Sequence, residues 1–307
     1  MKFAHASVVI AVGVLGACSP ALSNQNTANR PNTIRAFSIG HSLSSEIPDM
    51  VGALAKATPG LSYSFQEQFR LGASLKMQWE ETQRPPNQYD DGKFRTTYAK
   101  ALPGAKFNTI TLIDSVPRGG KTQEEESVTY LTKFVDYFAK NNPTAEIYYS
   151  EPWHSINSGQ PNVPWDTASP TRTLPWRKRI DADAPMWDRI RTTVEKSTGK
   201  KIIMVPQAKA LGQLVDAIEG GKVPGFSKMT DVFADDIHVN PYGMYFLACL
   251  HYSILFGKSP EGLPFTIKNR WESEYWGKPF YGGKVYAVPN KQGILEMQKI
   301  AWKVARV

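Results

Sequence analysis

Cysteine is almost absent: Cys18 and Cys249 are the only two in 307 residues. No disulfide framework can therefore hold this chain, and its stability must come from a hydrophobic core. Cys249 lies in the apolar stretch "YFLACLHY" and reads as a small buried hydrophobe. Long hydrophobic runs are lacking as well, since the one near the amino terminus, in "MKFAHASVVIAVGVLGAC", is too short to span a bilayer comfortably. There is no long block of one charge; the formal net charge of +8 is spread along the chain in clusters no longer than "PWRKRI" and "GKKI". With no recognisable binding motif, that distribution argues against nucleic acid and leaves acidic glycans or a membrane surface as charge-complementary partners. No internal repeat and no G-x-G-x-x-G occur, and "SVPRGGKT" has Ser115 where a phosphate loop needs glycine. No His/Cys/carboxylate cluster has metal-ligand spacing, so neither a metal nor another cofactor is expected.

What is present is the composition of a soluble globular protein, 41% hydrophobic and 21% charged, long enough for one large α/β domain or two small ones. Residues 1–17 read as a secretory signal, with a lysine, a short apolar run and then small residues. Leu15-Gly16-Ala17-Cys18 resembles a bacterial lipobox, which implies lipidation of Cys18, export to the cell envelope and, with Ser19 following, an outer-membrane anchor. An ordinary cleaved signal is the alternative. Residues 18–32, "CSPALSNQNTANRPN", form a polar tether, and 33–307 form the folded domain.

Within that domain apolar segments alternate with helical-period segments, the signature of a parallel sheet covered by helices on both faces. The reading places strands near 34–39, 62–67, 107–113, 145–150 and 201–205. Helices are placed on "IPDMVGALAKA", "EEESVTYLTKFVDYFAKN", "APMWDRIRTTVEKSTG", on Pro241 to about Phe256, and near 290–305. Residues 151–178 carry Trp153, Trp165 and Trp176 without a clean period, and a long irregular stretch after a strand is commonly functional or mobile.

Ligands of open parallel sheets gather outside the carboxyl ends of the strands. Ser42, in "FSIGHSLSSEIPDM", follows the first strand by three residues and so sits on that edge. It is either a nucleophile or, with Ser44, a cap for the helix that begins near Glu46. In "ADDIHVNPYGMY", Asp235 precedes His238 by three residues; of five histidines only His238 has this arrangement. A neutral imidazole held by a carboxylate can take a proton from a serine hydroxyl, so Asp-x-x-His supplies both partners from one turn. Asp236 is the rival acid and fits less well.

"SIGHSLS" and "DDIHVNPYG" together resemble the first and last blocks of the SGNH, or GDSL-like, hydrolases, and in particular a bacterial branch with a GNS or GHS opening. In the late block of that branch this chain has Asp235, His238, Gly243, Tyr245, Ala248, Tyr252 and Gly257. The resemblance implies a flavodoxin-like three-layer α/β/α fold with about five parallel strands. It also implies hydrolysis of an ester, or a thioester, through an acyl-Ser42 intermediate, with His238 as base and then acid and Asp235 as its orienting carboxylate.

The same resemblance makes the backbone N–H groups of Ser42 and Gly72 oxyanion donors. The asparagine of the superfamily's third block is missing from "FNTITLIDSVPRGG", where Asp114 and Ser115 stand instead. Ser115 can donate through its hydroxyl, Asp114 only if protonated. A protein that kept the fold but lost turnover, a glycan-binding surface lipoprotein, is the competing class of function. His41 is expected either to bond across the site to substrate or to hold the turn. Trp153 and Trp165 are expected to form a sugar-stacking wall, which favours an acylated glycan as substrate over a lipid or a small ester.

Overall fold

The computed structural model describes residues 30–81, 91, 93–104, 106–160 and 169–306. Five strands form one sheet: β1 (Thr33–Gly40), β2 (Ser62–Phe69), β3 (Thr109–Ile113), β4 (Glu146–Ser150) and β5 (Ile202–Val205). All neighbours are parallel, in the order β2-β1-β3-β4-β5. This is the flavodoxin-like arrangement, in which the chain reverses its direction of winding between β1 and β3. The register aligns Gly40 with Phe69, Ile39 with Leu112, and Ser150 with both Ile113 and Val205, so the loops that follow all five strands leave from one edge.

β1, β3, β4 and β5 are covered on both faces, which is why they read as apolar runs, whereas the edge strand β2 leaves Ser62 and Ser64 exposed. Side chains alternate with the pleat. Ile34, Ala36, Tyr148, Ile203 and Val205 pack with α1 (Ile47–Lys56), α6 (Gln207–Glu219), α7 (Pro241–Phe256) and α8 (Lys291–Ala305). Phe37, Ile39, Ile147, Tyr149 and Ile202 face the other core, built with α4 (Lys121–Asn141) and the body of α5 (Trp176–Thr198). The short helices α2 (Leu75–Glu81) and α3 (Tyr98–Ala101) close that second core through Leu75 and Tyr98. α7 is buried on nearly every side, and Cys249 within it is fully buried, where burial pushes its thiol up to about 12.

Two elements differ from the expectation. The segment "QAKALGQLVDAIE", for which the sequence reading gives no helix, is α6 and buries Leu211, Leu214, Val215 and Ile218. α5 starts at Trp176 rather than at Ala184 and continues through Pro185. The basic cluster "PWRKRI" lies in its first two turns, where Arg177 pairs with Asp181 and Arg179 with Asp183 one turn on. Gly199, expected as its stop, is the left-handed residue after the helix, at φ 66°.

Glu151, directly after β4, is buried, and its Oε2 accepts the Lys209 N–H in the first turn of α6 at 3.2 Å. Burial pushes its carboxyl up to about 7, against the pull of that N–H and of the Lys209 charge. A carboxyl raised in the folded state contributes stability that is complete below its unfolded value and is lost as pH rises through the folded one. Between 4.5 and about 7 the loss amounts to about 3 kcal/mol. Glu151→Gln should therefore be more stable than wild type at pH 8 and should lose that advantage at pH 4.5, as read by urea unfolding at the two pH values.

Candidate active site

Ser42 lies in a single 3-10 turn, Ser42–Ser44, set between β1 and α1. It does not cap α1, which starts at Ile47 with no side-chain cap on its first turn. Ser44 and Ser45 are spent locally, on the carbonyls of His41 and Ser42. The Ser42 hydroxyl instead meets His238 Nε2 at 2.9 Å, across 196 residues of sequence. His238 Nδ1 lies 2.7 Å from Asp235 Oδ2, and Asp235 Oδ1 accepts the backbone N–H groups of Ile237 and His238 at 2.8 and 2.6 Å.

These contacts fix the protons. An ionised carboxylate only accepts, so Nδ1 carries the imidazole proton and Nε2 is left as acceptor for the serine hydroxyl. Asp235 stays ionised: burial pushes its carboxyl up, but the N–H groups of His238 and Ile237, together with the imidazole, outweigh burial and hold it below the usual aspartate range. Asp236 points elsewhere; its carbonyl accepts from Ile156 N–H and its carboxylate lies 3.5 Å from the Ser155 hydroxyl.

The Asp235–His238 turn is clamped from three sides. Ala234 N–H bonds the His238 carbonyl, and Asn240 caps α7 by accepting from Tyr242 and Gly243 while its amide donates to the Asp231 and Phe233 carbonyls. A Cβ on Gly243 would meet the Val232 carbonyl at 2.6 Å, so only glycine lets the hairpin seat on α7. From beneath, Trp153 Nε1 donates to the Ile237 carbonyl at 2.7 Å. Trp153 is fully buried and cannot stack on a sugar; its expected substrate role is corrected to a support for the histidine turn. Trp176 is likewise core, donating to the His154 carbonyl. Trp165 lies outside the described residues, as does Cys18.

His41 is also corrected. Its ring is buried, Nε2–H donates to the Asp114 carbonyl at 3.0 Å and Nδ1 receives a long bond from Leu43 N–H, so both nitrogens hold the turn that presents Ser42. Burial pushes this imidazole down, which keeps it neutral.

Asp114 proves to be no oxyanion donor. It is fully buried, and Oδ1 accepts from Leu75 N–H at 3.1 Å, Ser115 N–H at 2.8 Å and Arg118 at 3.3 Å, while Oδ2 accepts the Ser127 hydroxyl at 2.6 Å. The carboxylate thus ties the loops after β2 and β3 to α4, with its charge met by Arg118. It does not line the cleft beside Ser42. Gly72, at φ 62° with open space where a Cβ would stand, and Ser115 both line the cleft beside Ser42. The N–H groups of Ser42 and Gly72 donate to nothing among the described residues, which leaves them free for an oxyanion. Among the described residues no group of His, Cys, Asp and Glu is placed to hold a metal.

No family model and no curated relative matches the chain. Among solved structures it is similar to a DUF4886 family protein from Bacteroides uniformis, with 16% identity over 89% of this chain and 94% of that one and a TM-score of 0.63. At that identity the likeness shows the fold alone. A member of the lipolytic G-D-S-L family from Veillonella parvula is more distant, at 12% identity, 71% and 95% coverage and a TM-score of 0.41. The flavodoxin-like three-layer fold that "SIGHSLS" and "DDIHVNPYG" imply is the fold found.

Proposed function

We propose that the protein is a serine ester hydrolase working through an acyl-Ser42 intermediate. The observation that carries the reading is the unbroken chain from the Ser42 hydroxyl through His238 to Asp235, at 2.9 and 2.7 Å. Ser42 Oγ attacks the ester carbonyl carbon while His238 Nε2 takes its proton, and the imidazolium returns that proton to the leaving alkoxide. Water, deprotonated by the same nitrogen, then releases the acid and restores Ser42. Asp235 orients the imidazole and stabilises its charge. The N–H groups of Ser42 and Gly72, with the Ser115 hydroxyl, receive the oxyanion; one such donor is worth about 3–4 kcal/mol.

For the alcohol side, a carbohydrate remains our reading, on different grounds from stacked tryptophans. Beyond Asp235 lies a second, polar recess lined among others by Asn157, Lys228, Thr230, Asp236 and Lys284. Such groups suit hydroxyls better than lipid. Hydrolysis of acetylated glycans and small chromogenic esters by the purified protein tests the proposal, and folded protein inert on both would refute it.

The lipobox reading makes the protein an envelope lipoprotein held by Cys18. Cys18→Ala should shift it from the membrane to the soluble fraction of its host with esterase activity per molecule unchanged, since the tether separates anchor from site. Retention of the variant in membranes would remove the anchor.

A further inference from the structure

Resting on that reading, we infer that the cleft beside Ser42 binds an uncharged, apolar acyl chain longer than acetyl, and that Leu71 sets this preference. The cleft has a volume of about 530 Å³, far more than a single methyl group fills. Its walls are aliphatic: Leu43 follows the nucleophile, Leu71 precedes Gly72, Val116 follows Ser115, and Ile237 precedes His238. The polar side chains that reach it are Ser42, Ser115, His41 and His238. Ser42, Ser115 and His238 serve the reacting carbonyl, and the ring nitrogens of His41 are taken by Asp114 and Leu43. Two carboxylates stand behind the lining: Asp235 is engaged by His238, and Asp114 is turned into the core against Arg118. Nothing lining the cleft pairs with a charge on the acyl group.

Leu71 is the distinctive member. It is 52% exposed, one of the few large apolar side chains left so in the described residues, and it stands at the cleft rather than on a remote surface. A bound chain removes both its own methylenes and the Leu71 side chain from water. Full burial of a methylene is worth about fourfold in affinity, so in an open cleft a gain of about two- to fourfold per added methylene is expected.

The test uses the full chain and the p-nitrophenyl esters of acetate, butyrate and hexanoate, with the succinate monoester as a charged control. Expected is a kcat/KM that rises from acetate to hexanoate by about tenfold or more and is lowest for the succinyl ester. In Leu71→Ser the hexanoate-to-acetate ratio should fall several-fold, and Leu71→Met should restore it. Because Leu71 is half exposed, neither change disturbs the core. A flat or falling series that still depends on Ser42, or a ratio indifferent to Leu71→Ser, overturns the acyl-chain inference and leaves the esterase reading standing. No Ser42-dependent hydrolysis of any of the four esters overturns both.

Discussion

Ser42→Ala and His238→Ala should each abolish turnover of a small ester almost completely, a loss of about 10⁶ in kcat if this triad behaves as the one best studied by deletion in another serine hydrolase. The reason is that the two residues act as a unit. Without the hydroxyl no acyl-enzyme forms, and without the imidazole the hydroxyl proton has nowhere to go at neutral pH. Neither substitution should unfold the protein, because Ser42 sits at the cleft and His238 is partly exposed, with backbone contacts that do not use its ring. The pair also separates an enzyme from a binding protein with an idle triad, since such a protein loses nothing measurable in either variant. Initial rates on an aryl ester, with melting temperature as the control for folding, decide it.

Asp235→Asn should cost about 10⁴ in kcat, less than loss of the base but more than a surface change. An amide NH₂ in place of Oδ2 donates toward His238 Nδ1, which forces the proton onto Nε2, where it faces Ser42 and blocks proton transfer. Oδ1 can still accept the Ile237 and His238 N–H groups, so the turn should survive. The pH dependence has a definite sign. The Asp235 carboxyl is held below its ordinary 3.8 in the folded protein, so its contribution to stability is present above that value and is lost as pH falls through the folded one. The melting-temperature gap between wild type and Asp235→Asn should accordingly close between pH 5 and pH 2. A gap that does not change with pH would mean the carboxylate is not held by these donors.

How much of this was legible in the sequence follows from which forces act locally. Most strands could be placed because residues buried on both sheet faces leave apolar runs, α1, α4 and α8 because a one-sided helix repeats every three to four residues, and α7 because a helix buried on nearly every side is a long apolar segment after Pro241. Asp235 and His238 could be paired because one turn of four residues carries both, and Ser42 joined to them because it follows the first strand on the same edge of the sheet. α6 was missed although its Leu and Val spacing was there to be counted, and the first turns of α5 were hidden by Pro175, Pro185 and a basic cluster whose partners lie one turn on.

Direction of side chains was not legible. Trp153 occurs after β4 at the active edge, as expected of a substrate platform, yet its indole runs inward to the Ile237 carbonyl. Asp114 stands where the family pattern has a donor to substrate, but its four donor partners come from Leu75, Ser115, Arg118 and Ser127 on three different segments. Such convergence depends on tertiary contacts that no spacing encodes. Asn240 was the exception that could have been found, because Asn before Pro241 at the head of an apolar helix is a capping signal in its own right.

The central claim is that His238 activates Ser42 as a nucleophile. The most direct measurement is the mass of the protein, and of its tryptic peptides, after brief exposure to an alkyl fluorophosphonate. Ser42 Oγ should bond to phosphorus as fluoride leaves, giving one adduct per chain, on the peptide that contains Ser42 and on no other serine. In His238→Ala the adduct should fail to form at the same exposure, with the fold intact by melting temperature. A folded wild-type protein that takes up no adduct at Ser42, or one labelled equally fast without His238, would contradict the account.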